Sequence, residues 1–288
     1  MNSAIESMLE QYDPQNNTER ENAIREIIQE IALSGLSHAG FFKKAAFYGG
    51  SCLRIFYGLN RFSEDLDFAL LKSDQTFKLD DYFDTLKNEF LSFGIDINIE
   101  AKVKKTSTPV QSAFLKGNTL MLFMSFFPKS DDAKKIVSSQ RIKIKLEIDT
   151  DNPAGGKTEN KYRMLPSPYE VQVFDEPTLF AGKIHAILCR EYKHNVKGRD
   201  YYDYLFYAGR NTAINIKYLE NKLKNTGKIS NDVILNLDMV KRMLEDKFKA
   251  VDYEMAKADV APFIDDKNSL MFWKPELFIS TVNKLKED

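Results

Sequence analysis

Hydrophobic and polar positions along the chain fall into two regimes. Up to about residue 165, helical spacing is interleaved with short apolar runs and with period-two alternation; beyond Leu179 the spacing is helical throughout. In the first regime Ile24, Ile27, Ile28, Ile31 and Leu33 share one face and predict a helix over 19–33, with Asn17 and Thr18 as caps. A short helical piece over 36–43 leads into the apolar run Ala45, Ala46, Phe47 and Tyr48, which reads as a strand. The run stops at Gly49-Gly50-Ser51, and Leu53, Ile55, Phe56 and Leu59 then follow a helical pattern opening at Ser51. Asp65 and Asp67 flank Leu66 at the start of a second apolar run, 68–71. A helix capped by Asp80 and Asp81 continues through Leu91, with Tyr82, Phe83, Leu86, Phe90 and Leu91 inward and Gly94 at its end.

Three further segments predict strands. Ile95, Ile97 and Ile99 alternate with Asp96, Asn98 and Glu100. The stretch 119–127 is mostly apolar. In 141–149, Ile142, Ile144, Leu146 and Ile148 take one face, and Lys143, Lys145, Glu147 and Asp149 the other. A polar loop over 131–139 precedes that last strand, and 151–156 is a turn rich in Asn, Pro and Gly. In the second regime Leu179, Ile184, Ile187 and Leu188 mark one helix face. Further helices are predicted over 199–207, 218–223, 231–248 and 275–285. The composition shifts at 166–177, so two domains are expected: a mixed 1–165 and a helical 166–288.

Composition narrows the class. With 288 residues, 43% hydrophobic and 29% charged, the chain reads as an ordinary soluble globular protein. A net charge of −1 offers no global basic field, so an RNA substrate would need a local patch. Cys52 and Cys189 are the only cysteines, which suits a reducing cytoplasm better than a disulfide scaffold. The N-terminus is polar and acidic rather than a signal peptide, and no apolar run reaches membrane-spanning length.

The candidate chemistry centres on 47–69. Strand, glycine turn, helix and second strand bring a close backbone approach and a helix N-terminus together, a seat for phosphate groups. Residues two apart on a strand face the same side, so Asp65 and Asp67 project together. Paired carboxylates repel unless a cation lies between them, and magnesium bound by carboxylates and substrate phosphates suits them. Glu147 and Asp149 are candidates for a third carboxylate, equally readable as a solvated sheet face paired with Lys143 and Lys145. Arg54 and Arg61 could reach phosphates or be surface charge. Tyr57 and Phe62 read as core. Lys183 lies among Leu179, Ile184 and Ile187, where a lysine ordinarily snorkels to solvent. Asp200 follows a glycine at a helix start and could be a simple N-terminal charge partner. No Walker A string and no G-x-S-x-G are present. His185 and His194 lack metal-ligand spacing and read as structural or solvent-facing.

Gly-Ser followed after a helix by D-x-D on a strand resembles the nucleotidyltransferase signature. The fuller string GGSCLRIFYGLNRFSEDLDF resembles the AbiEii/AbiGii-type nucleotidyltransferase toxins of bacterial toxin–antitoxin and phage-defence systems. The string from Lys183 to Asp203 adds a lysine followed by K-x-R-D-x-x-D, matched by Lys197, Arg199, Asp200 and Asp203, and 250–266 with Met271, Phe272, Trp273 and Phe278 resembles the family's C-terminal region. The resemblance implies an α+β, polymerase β-like nucleotidyltransferase fold with a mixed sheet, then an all-helical C-terminal domain contributing to the active site. It also implies transfer of a nucleoside monophosphate from an NTP to an acceptor, with Mg2+ or Mn2+ and release of pyrophosphate; the resemblance leaves open GTP-dependent targets and the acceptor end of tRNA. A cognate antitoxin is the implied partner. In this resemblance Asp65, Asp67 and Glu147 hold metal, Glu147 being favoured over Asp149 because KLE is the part of its strand that matches. Gly50, Ser51, Arg54, Lys183 and Arg199 would bind the nucleotide. Asp200 would either orient Lys183 or take the acceptor proton. The alternatives are a non-toxin nucleotidyltransferase acting on a small molecule or protein, and an inactive NTP-binding module.

Overall fold

The computed structural model describes residues 2–101, 109–118, 121, 122, 126, 141–191 and 196–288. The expected loop over 131–139, His194 and most of the expected strand over 119–127 lie outside the described residues. The chain divides into two compact units that interleave in sequence. One comprises Met1–Ser51, Glu64–Asn152 and Asn160–Val173; the other comprises Cys52–Ser63, Pro153–Glu159 and Phe174–Asp288.

The first unit is α+β. Helices α1 (Ser3–Tyr12) and α2 (Asn17–His38) precede strand β1 (Ala45–Tyr48), helix α3 (Gly49–Tyr57), which from Cys52 onward counts with the other unit, and strand β2 (Leu66–Leu70). Then come α4 (Phe83–Ser92), β3 (Asn98–Ala101), β4 (Val110–Asn118), β5 (Arg141–Asp149), β6 (Thr158–Arg163) and β7 (Tyr169–Phe174). The described strands form one seven-stranded sheet in the order β3-β4-β5-β2-β1-β7-β6. It is mixed: β1 pairs antiparallel with β2 and parallel with β7, whereas β2 pairs parallel with β5. The apolar faces account for this arrangement. Phe47, Leu66, Phe68, Ile144, Leu146 and Ile148 are fully buried, and Phe41 meets Phe68 and Tyr82 edge-on with ring centroids 5.0 and 5.1 Å apart.

Helix α2 extends beyond its amphipathic pattern. Its cap is Asn16, whose side chain accepts from the Glu19 amide at 3.0 Å, and it absorbs the start of the piece expected over 36–43. Gly40, at φ 72°, ends the helix and leaves only a 3₁₀ turn, Phe41–Lys43. Polar side chains inside α2 are buried but paired: Glu30 accepts from Arg163 and, at 2.5 Å, from the Tyr169 hydroxyl. Asp80 and Asp81 fall in a 3₁₀ turn, Leu79–Tyr82, and α4 starts only at Phe83. The alternation at 95–100 yields a strand only from Asn98. Within the stretch expected to be a strand, Met121, Leu122 and Phe126 are helical, because an apolar run without a period does not distinguish the two structures.

The second unit is helical: α5 (Glu176–Cys189), α6 (Gly198–Gly209), α7 (Ile216–Asn225), α8 (Leu237–Ala250), α9 (Tyr253–Val260) and α10 (Pro275–Val282). Asp175 caps α5 by accepting from the Thr178 amide, with Pro177 in the first turn where its missing N–H costs nothing. Helix α8 begins six residues later than expected, at Leu237 behind the cap Asn236, and α10 stops at Val282. Phe180, Tyr201, Tyr204, Tyr207, Phe248 and Phe278 are fully buried and form an aromatic core. Gly198 opens α6 against α9 at a distance no side chain would permit: a Cβ there would lie 1.7 Å from the Ala256 carbonyl oxygen.

Candidate active site

In the first unit the site is built by register. Leu66 and Phe68 of β2 lie opposite Leu146 and Ile148 of β5, and all four are buried. Pleating therefore sends Asp67 and its partner Glu147 to the other face, side by side on adjacent parallel strands. Asp65 stands two residues before Asp67 and is half-buried like it. Gly49, at φ 82°, lies so near that a Cβ would meet the Asp67 carboxylate oxygen at 2.5 Å. Only glycine accepts both that backbone conformation and that approach. Helix α3 thus opens at Gly49, not at Ser51; Gly50 is its second residue and Ser51 its third. Ser51 is buried, and its hydroxyl donates to the Asp65 carbonyl, fastening the start of the helix to the strand that carries the carboxylates.

Glu147 has partners already. Its Oε2 is 2.6 Å from Lys145 Nζ, and Ser112 Oγ donates to its Oε1 at 3.2 Å. Lys143 instead lies over the Phe114 ring, 3.8 Å from its centroid. Asp149 accepts from the Asp151 amide at 3.0 Å, a turn contact. Among the described residues no three His, Cys, Asp or Glu side chains are gathered into a set that would hold an ion as they stand.

In the second unit Lys183, on α5, meets two carboxylates of α6. Its Nζ is 2.9 Å from Asp200 Oδ1 and 2.8 Å from Asp203 Oδ2. Asp200 and Asp203 share a helix face because they are three residues apart. Asp203 is held from its other side by Arg61, with Nε and Nη2 each 2.7 Å from its two oxygens, and Asp200 is also met by Arg190. Burial alone would lower the Lys183 pKa, but Asp200 and Asp203 outweigh it and hold the ammonium above its ordinary range. Burial pushes the Asp203 carboxyl up, and Arg61 with Lys183 brings it below the usual carboxylate range.

The other expected nucleotide ligands are placed differently. Arg54 donates to the Leu59 carbonyl at 3.2 Å and stacks over Phe62, 4.8 Å from its centroid. Arg199 lies over Phe263 at 4.2 Å, with Nε 3.5 Å from Asp259. Tyr57 is core, its hydroxyl donating to Glu159 at 2.6 Å. His185 hydrogen-bonds with Thr226 Oγ1 at 3.2 Å. Sequence reasoning missed the part taken by Arg61 and Asp203. The three-residue spacing from Asp200 to Asp203 was the available signal; nothing in the string around Arg61 announces a partner in a distant helix.

Comparison with known proteins follows the same lines. The sequence model of the nucleotidyl transferase AbiEii toxin family, a type IV toxin–antitoxin system, matches residues 31–277. No curated protein matches. Among solved structures, the nucleotidyltransferase toxin MenT4 from Mycobacterium tuberculosis H37Rv is similar with a TM-score of 0.57 and 13% identity, over 98% of this chain and 89% of that one. JHP933 from Helicobacter pylori has a TM-score of 0.46 and 18% identity, over 90% and 92%. The likeness to MenT4 is one of fold. No helix among the described residues is long and apolar enough to cross a membrane. With the family's model spanning most of its length, the chain belongs to the nucleotidyl transferase AbiEii toxin family and is a nucleotidyltransferase.

Proposed function

We propose that this nucleotidyltransferase transfers a nucleoside monophosphate from an NTP to a hydroxyl of an RNA acceptor, releasing pyrophosphate, and that it does so as the toxin of a pair with a cognate antitoxin. The observation that carries the reading is the register of β2 on β5, which sets Asp67 beside Glu147 on the polar face of the sheet. An all-carboxylate oxygen donor set is the chemistry that magnesium or manganese takes. Asp65, Asp67 and Glu147 are the residues that would hold such an ion, Glu147 by exchanging Lys145 for it. Bound there, the ion would neutralise phosphate charge and lower the pKa of the acceptor hydroxyl.

The chain's own residues do the rest. Gly49 leaves the Asp67 carboxylate room that any side chain would fill. Gly50 and Ser51, in the first turn of α3, present backbone N–H groups suited to phosphate oxygens, while the Ser51 hydroxyl keeps Asp65 in place. Lys183 would meet the triphosphate as a compact cation, and its 2.9 Å contact supports Asp200 as one of the groups that orient it. Arg54 enters the proposal on its place beside the glycine turn in the sequence, and Arg199 on the family resemblance.

The test is the fate of the label. Incubated with magnesium and total RNA, NTP labelled at the α-phosphate should leave its label in RNA. Label at the γ-phosphate should appear only in pyrophosphate. Transfer of γ-label to any acceptor would replace nucleotidyl transfer to RNA by phosphoryl transfer, and α-label entering protein or a small molecule would replace the RNA acceptor.

A further inference from the structure

An ammonium among apolar neighbours is costly unless carboxylates meet it, and a carboxylate that meets it is itself costly to bury. Lys183 lies in that position on α5, its side chain 14% exposed, with Asp203 fully buried beneath it. Asp203 could neutralise Lys183 alone. Instead its Oδ2 is shared, accepting from Lys183 at 2.8 Å and from Arg61 Nη2 at 2.7 Å, while its Oδ1 takes Arg61 Nε. Arg61 is anchored in turn by donating to its neighbour Phe62's carbonyl at 2.9 Å. The planar fork fixes both Asp203 oxygens, and so fixes the point at which the flexible four-carbon stem of Lys183 ends.

We propose that the buried Arg61–Asp203 pair is the positioning device of Lys183: Asp203 sets where the ammonium sits, and Arg61 keeps Asp203 from claiming its whole charge. Two carboxylates face Lys183, both from α6. Asp203 is shared with Arg61, and Asp200 is shared with Arg190, itself half exposed. The ammonium is therefore held in place without being locked into an exclusive ion pair, which leaves it able to engage a phosphate group. Neither Arg61 nor Asp203 touches substrate in this account; both act through Lys183. The inference rests on the reading that Lys183 engages the nucleotide, and deepens it.

The charge-matched double variant R61Q/D203N tests it, since it removes the buried cation and anion together and leaves neither uncompensated. Transfer of α-label from NTP to RNA is followed against pH and NTP concentration. Asp203 raises the Lys183 pKa and Arg61 lowers it less, so with both removed burial is less opposed and the alkaline limb of kcat/KM should move to lower pH. KM for NTP should rise about tenfold while kcat changes less. A merely structural pair would alter the yield of folded protein but leave the limb and KM of the folded fraction unmoved, and that result overturns the inference. Should the double variant not fold, Arg61→Lys carries the test: it keeps the charge but loses the fork, and KM should still rise several-fold with the alkaline limb in place. A wild-type KM for Arg61→Lys overturns it equally. Lys183→Ala is the separate control for the parent reading: if that variant transfers normally, the nucleotide role of Lys183 fails, whereas an inactive Lys183→Ala beside an unaltered R61Q/D203N removes only the positioning role.

Discussion

At the scale of single residues the proposal gives Asp67 the central part. It is half-buried on the polar face of β2, so it packs no core, and its neighbours across the strands are Glu147 and Tyr48. Asp67→Ala should therefore reduce transfer by about a thousand-fold or more, the scale seen when one element of electrostatic stabilisation is removed, with the melting temperature nearly unchanged. Steady-state transfer and thermal melting on the same preparation check both halves. A second prediction concerns His185, whose pKa burial, then Lys222 and Arg190, push down from 6.5 to about 4. The folded state keeps this imidazole neutral while the unfolded chain protonates it. Stability should therefore be fully present above about pH 6.5 and decline as pH falls towards about 4. Urea midpoints measured across that window should show a shallower decline in His185→Gln; equal slopes would mean His185 is not the group responsible. At this scale the sequence was legible where chemistry is written in adjacent residues. The D-x-D and the glycine turn could be read directly. Arg61 could not, because its partner lies 142 positions away and only folding brings the two together.

Elements hold these residues in place, and their junctions are where small changes matter. Helix α6 starts at Gly198 in contact with the backbone of α9, and any Cβ would overlap the Ala256 carbonyl. Ala256 lies within α9, and a helix-backbone carbonyl cannot swing aside as a side-chain tip can. Gly198→Ala should destabilise the protein by about 3 kcal/mol, the upper end of ordinary overpacking, and should loosen the helix start that carries Asp200. Chemical denaturation reads this directly; a variant within about 0.5 kcal/mol of wild type would show that α6 and α9 part without cost. The elements most legible in the sequence were those with a clean period. Strand β5 appears as its alternation predicts, and α5, α6 and α7 form where helical spacing was strongest. Strand β6 is largely polar, since it lies at the sheet edge, and carries no apolar signal. Strand β7 alternates Tyr169, Val171 and Val173 inward, but within the stretch where the composition shift drew attention to a boundary.

At the scale of the whole molecule, a mixed α+β sheet and a helical unit were both visible as regimes of periodicity. The interleaving of the units was not, because Cys52–Ser63 and Pro153–Glu159 join the helical unit from within the stretch expected to form the first domain. No local pattern marks such an exchange. As a member of the AbiEii toxin family the chain should arrest growth when expressed alone, and the product of a neighbouring gene should relieve the arrest. Asp67→Ala should be tolerated without that partner, because the proposal makes the arrest a consequence of transfer. Continued arrest by Asp67→Ala, at equal expression in a growth assay, would separate toxicity from catalysis. The central claim is that Asp67 and Glu147 form one catalytic centre for nucleotidyl transfer, and one measurement meets it most directly. Wild type, Asp67→Ala and Glu147→Gln are incubated side by side with each of the four α-labelled NTPs, magnesium and total RNA. The account predicts label in RNA with the wild type from at least one NTP, and loss of that label in both variants while both remain folded. Labelling by Glu147→Gln at the wild-type rate would contradict it, since the carboxylate paired with Asp67 would then take no part in the reaction.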